Sequence, residues 1–167
     1  MTNGLVANII RFIALLIIQV SICSSINFLG YINPYIYIIF IILFPINANR
    51  LLFLICAFNL GLLVDMFLDS GGVHAGASVF LAYARPIFLK YTFGTLYDHQ
   101  TIKFGNLGFG QLFGYIALTA FFHHFILFIL EIFNIYQILL ILKKTLFTSI
   151  LTIILSTIII LLFRPRK

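Results

Sequence analysis

The chain has 167 residues, of which 63% are hydrophobic and 8% charged, with a net charge of +6. A soluble domain carries about 25% charged residues. A third of that cannot coat a water-facing surface, so a soluble enzyme is excluded in favour of a chain whose apolar residues meet lipid. The ten Lys and Arg occur singly or in short groups between apolar runs, which is a membrane-topology pattern and not the solvated basic stripe that nucleic acid needs.

Six apolar segments predict a single all-α domain, a polytopic membrane helix bundle covering 1–167. The first spans 5–23 and ends at the polar break Ser24-Ser25-Ile26-Asn27. Arg11 inside its apolar stretch argues against a cleaved leader. The second, 33–47, has a core of about ten residues between Pro34 and Pro45. That is short against the ~20 needed to cross ~30 Å of hydrocarbon, so it reads as a short tilted span or a re-entrant piece. The third spans 51–68, and the turn Asp69-Ser70-Gly71-Gly72 leads to the fourth, 74–91. A loop with Gly94, Asp98, His99, Lys103 and Gly105 precedes the fifth, 109–131. The stretch 132–144, broken by Asn134 and Gln137 and closed by Lys143-Lys144, predicts an interfacial helix before the last span, 145–163. No run shows the period-two alternation of a membrane barrel. Cys23 and Cys56 fall at different depths and are expected as free thiols.

With the N-terminus inside, the inner loops receive Arg50, Lys90, Lys103 and the tail Arg164, Arg166 and Lys167. The outer loops receive only Lys143 and Lys144, so both termini are expected in the cytoplasm. Polar groups within spans are costly and face a bundle interior, water or a partner. Depth along each helix predicts two layers. The inner one is basic, with Arg11, Arg85 and Lys90, which either snorkel to lipid phosphates or turn inward. The outer one holds Gln19, Asp65, His74, His123 or His124, and Glu131. Arg85 lies too deep for an Asp65 salt bridge, so Asp65 is expected to pair with a histidine or to brace the turn into the fourth segment. His123 and His124 sit ~100° apart on a helix, so only one of them is expected to face inward. Gly61, Gly72, Ala75 and Ala82 are candidate close-packing positions for a neighbouring helix, within the bundle or on a partner. No catalytic spacing, metal motif or phosphate loop is present, and no cofactor is expected.

The stretch Gly61-Leu62-Leu63-Val64-Asp65-Met66-Phe67, then Gly71-Gly72-Val73-His74-Ala75, then Tyr83-Ala84-Arg85-Pro86, resembles the rod shape-determining protein MreD family in its Bacteroidetes version. Gln19, Asn33-Pro34 and His123-His124 also fit. The resemblance implies an inner-membrane, non-catalytic scaffold of the cell-wall elongation machinery. Its partner would be MreC, and through it the MreB filament and the peptidoglycan synthases. The family is similar in plan to the substrate-binding subunits of energy-coupling-factor vitamin transporters, which makes a solute-binding subunit the alternative. Those subunits carry an A-x-x-x-A docking pattern on the first helix. Here Ala7 is followed four residues later by Arg11. A third option is a lipid-linked precursor held by Arg11 and Arg85.

Overall fold

Peptide groups in lipid find no water and must close hydrogen bonds on themselves. The computed structural model obeys this, with helices and no strand among the described residues, which are 2–26, 32–99, 102 and 104–163. Asn27, Lys103 and the tail residues Arg164, Arg166 and Lys167 lie outside them. The helices are α1 (Thr2–Ser21), α2 (Ile38–Leu43), α3 (Arg50–Leu68), α4 (Val73–Phe93), α5 (Thr95–Asp98), α6 (Phe109–Ile132) and α7 (Ile138–Leu162). Among the described residues, four stretches are long and apolar enough to cross a membrane: Val6–Ser25, Arg50–Leu68, Phe109–Ile132 and Ile138–Leu162.

The second and fourth predicted spans differ from these. Only six residues of the second form a helix, about 9 Å of rise against the ~30 Å hydrocarbon core. All of this helix but its last residue, the half-buried Leu43, is buried inside the protein. Ile38, Ile41 and Ile42 are completely enclosed, and Ile39 and Phe40 nearly so. The fourth segment is a full helix of 21 residues. It carries His74, Arg85 and Lys90 and packs between α3 and α6 in the interior. α7 covers the far side of α6, α1 lies on α3, and α2 is enclosed by α1, α4 and α6.

Contacts between helices fix their directions. Gln19 near the end of α1 meets Tyr37 at the start of α2, and Asp65 near the end of α3 meets the start of α4. α1 and α3 therefore run the same way, and the chain between them returns through α2. Arg85, well along α4, meets the end of α2, so α2 and α4 run together. α6 and α7 then alternate: Tyr115 meets Arg85 while His123 meets Tyr37 beside His74, and His124 meets Thr152 while Glu131 meets Lys144.

Caps mark the helix ends. Asn49 Oδ1 accepts from Leu51 N (2.8 Å) and Leu52 N (3.3 Å) at the start of α3. Such a cap stabilises a helix by about 1 kcal/mol. The turn from α3 to α4 places Asp69 at φ 51° and Gly72 at φ 94°, and the left-handed value at position 72 suits a residue without a Cβ. Gly61 serves a different end. A Cβ there would stand 2.5 Å from the His74 carbonyl oxygen and 2.6 Å from Ala75 Cα. Ala75 and Ala82 are buried, so the small residues let α3, α4 and their neighbours approach inside the bundle.

The predicted interfacial helix 132–144 is not separate. α6 ends at Ile132, Phe133 is left-handed, a 3-10 turn covers 135–137, and α7 runs unbroken from Ile138. Lysines are good helix formers, so Lys143-Lys144 do not end a helix. Ile141 and Thr145 are buried. Lys144 Nζ reaches Glu131 Oε1 at 2.6 Å and lies 4.8 Å from the Phe128 ring centroid, which ties the first turns of α7 to the end of α6.

Candidate functional site

A short helix enclosed in a bundle has backbone groups at both ends that no solvent can satisfy. The buried polar residues converge on that problem. Gln19, completely enclosed, donates from Nε2 to the Pro34 carbonyl (3.1 Å) and accepts at Oε1 from Tyr37 N (3.4 Å). Thr152 Oγ1 accepts from Tyr35 N at 3.0 Å. At the other end Arg85 donates from Nη2 to the carbonyls of Ile42 (3.0 Å) and Phe44, and from Nε to Tyr115 Oη (3.1 Å). Its guanidinium carbon lies 5.1 Å from the centroid of the Phe53 ring. A cation at a helix C-terminus also complements the helix dipole.

Tyr37 joins the start of α2 to α4 and α6. Its hydroxyl is 3.0 Å from His74 Nδ1 and 2.9 Å from His123 Nε2. One hydroxyl has one proton, so one imidazole accepts from it while the other donates to it. His124 takes a second set of partners, the Ala120 carbonyl at Nδ1 and Thr152 Oγ1 at Nε2 (3.3 Å). Nδ1 is therefore the protonated nitrogen, and Thr152 donates to Nε2. The Tyr35 ring lies 5.0 Å from the His74 ring and 5.5 Å from the His124 ring, between centroids.

Each predicted site residue can now be placed. Gln19, His74 and His123 come together around Tyr37, with His124 beside them. The expectation that only one of the two adjacent histidines faces inward is corrected, since both are completely enclosed. α6 is packed on two sides, so His123 faces α2 and α4 while His124 faces α7. Asp65 does not pair with a histidine side chain. Its Oδ1 accepts from His74 N (3.0 Å) and Ser70 Oγ (2.6 Å), and its Oδ2 from Ala75 N (2.8 Å). The carboxylate thus braces the turn into α4, with a negative charge at a helix N-terminus. Asp65→Ala should cost about 2–4 kcal/mol, because two buried amides and a part-buried hydroxyl lose a charged acceptor. Thermal unfolding in detergent would show a large drop for alanine and a smaller one for Asp65→Asn, and equal losses would contradict the charge term.

The basic layer does not assemble. Arg85 is buried and occupied by α2, so it neither snorkels nor binds lipid. Lys90 is exposed in the last turn of α4, and Arg50 lies 4.9 Å from the Tyr83 ring centroid. Arg11 is half-buried and donates to Asn8 Oδ1 at 3.1 Å. It lines an apolar groove of about 600 Å³ between α1 and α7, with Ala7, Ala14, Ile39 and Phe163. Arg11 and Arg85 therefore share no site that could hold a lipid-linked precursor. Cys23 and Cys56 are free thiols.

Two tyrosines and one polar helix face were not anticipated. Tyr35 and Tyr37 sit in an apolar run and read as span residues. On α7, Thr145, Thr148, Ser149, Thr152 and Ser156 are all buried. Their spacing of three and four residues marks one helix face, a signal available in the sequence, and their small size allows close α6–α7 approach. No protein-family model, curated protein or solved structure matches this chain.

Proposed function

We propose that this chain is a non-catalytic membrane scaffold of the MreD kind, organising the cell-wall elongation machinery by binding MreC. In this reading it crosses the inner membrane six times, counting the return through 33–47, with both termini in the cytoplasm. The parallel course of α1 and α3 supports an even number of crossings, and the positive-inside bias supports the orientation.

The observation that carries the scaffold reading is the occupied interior. A solute-binding subunit needs a concave pocket with a few convergent polar groups, and the expected place was around Asp65 and His74. There the Tyr37 side chain and α2 fill the space, and Asp65, His74, Ser78 and His123 are almost wholly enclosed. Asp65 is spent on the turn into α4, and the His74 and His123 rings bond the Tyr37 hydroxyl. What remains for a partner is the outer surface of apolar helices, where Ile9, Ile13 and Ile17 of α1 and Ile150, Ile154 and Ile158 of α7 are exposed.

The test is affinity purification of tagged full-length chain from native membranes in mild detergent. A single-pass MreC-type protein in near-stoichiometric amount is the expected co-purifying species. An ATPase-linked coupling subunit together with a bound vitamin would overturn the scaffold reading in favour of transport.

A further inference from the structure

α3 presents two opposite faces. Phe53, Ala57, Leu60, Gly61 and Val64 are buried against the bundle. Leu52, Ile55, Asn59, Leu62 and Met66 follow one another at spacings of three, four, three and four residues, which is a helix-packing seam. At 100° per residue Asn59 points roughly 160° away from Ala57. The seam is largely open, with Leu52 50% exposed, Ile55 48% and Met66 71%, and Leu62 half-buried. Asn59 itself is exposed at the middle of this 19-residue membrane-spanning candidate. Its Nδ2 donates to the Ile55 carbonyl of its own helix at 2.9 Å. The amide oxygen and the second N–H face outward, where acyl chains offer neither donor nor acceptor.

We propose that this face is a homodimer interface in which Asn59 pairs with Asn59 of a second copy across a two-fold axis. Copies inserted in the same orientation can be related only by an axis along the membrane normal. That axis sets α3 parallel to its twin and brings equal residues of the seam together. An asparagine amide is donor and acceptor at once, so two of them complete each other with paired hydrogen bonds. The other four seam residues are apolar, so the face carries no charge calling for an oppositely charged partner. The proposal is independent of MreC binding and rests only on α3 crossing the bilayer.

The test uses full-length chain in native membranes, with Cys23→Ser and Cys56→Ser as background. Ile55→Cys and Leu62→Cys report on the seam, and Ile154→Cys on exposed α7 is the control. Oxidation should give a disulfide-linked dimer of the chain at positions 55 and 62 and not at 154. Adding Asn59→Leu should lower the dimer yield about three- to ten-fold, as expected for loss of interhelical hydrogen bonds in a membrane, while Asn59→Gln should keep most of it. Absent or equal crosslinking at all three positions would overturn the proposal. So would a product with a different protein, or a yield unchanged by Asn59→Leu.

Discussion

Arg85→Leu should lower stability by about 3–5 kcal/mol, the largest effect expected of any polar substitution in the bundle. The leucine has no donors, so the carbonyls of Ile42 and Phe44 and the hydroxyl of Tyr115 lose theirs in a site sealed from water and lipid. Arg85→Lys should recover little, because one ammonium cannot reproduce a planar fork directed at two carbonyls and a phenol. The damage should be local at first. The end of α2 and the Phe44–Phe53 stack, 4.6 Å between centroids, should loosen before the α6–α7 contacts. Thermal unfolding in detergent measures the total loss. An Arg85→Leu protein as stable as the parent would show that the guanidinium does not hold α2.

Gly61→Ala should be comparably damaging for a steric reason. The added methyl would stand 2.5 Å, 2.6 Å and 2.7 Å from the His74 carbonyl oxygen, Ala75 Cα and Ala75 N. These are backbone atoms of another helix, so no rotamer change relieves the contact and α3 must move off α4. Overpacking in a tight core costs about 1–3 kcal/mol and occasionally more. Here the separation would also pull Asp65 from the amides of His74 and Ala75. Gly114→Ala is the control, since nothing lies within 4 Å of a Cβ there. It should be neutral or stabilising by up to about 1 kcal/mol, as in any exposed helix interior. Equal melting temperatures for the two alanine variants would contradict the close approach.

Much of the bundle is legible in the sequence because lipid imposes one rule on every exposed segment. Runs such as 51–68 and 109–131 are apolar and of spanning length, and they appear as α3 and α6 within a residue or two. Depth counted along helices puts Gln19, His74, His123, Asp65 and Glu131 in one layer; the first three meet around Tyr37, while Asp65 braces the turn into α4 and Glu131 pairs with Lys144. What depth cannot supply is rotation. Depth predicts one inner layer for Arg11 and Arg85, yet one opens on the α1–α7 groove and the other turns to α2. Rotation alone separates His123 from His124, and nothing in the sequence shows that α6 has protein on two sides. The segment 33–47 was the least readable. Its apolar run looks the same whether lipid or protein surrounds it, and only the partners of its backbone ends reveal enclosure. Asp65 shows the same limit, since a carboxylate beside a histidine in sequence depth bonds to that histidine's amide and not to its ring.

Enclosure of α2 is the claim on which the filled interior depends, and without it the case against a solute site disappears. Hydrogen–deuterium exchange of the full-length chain in lipid nanodiscs reads it directly. Peptides covering 37–43 should exchange as slowly as those covering 57–64 of α3, with no added ligand. Exchange of 37–43 within seconds, or protection that arises only when a small solute is supplied, would contradict it.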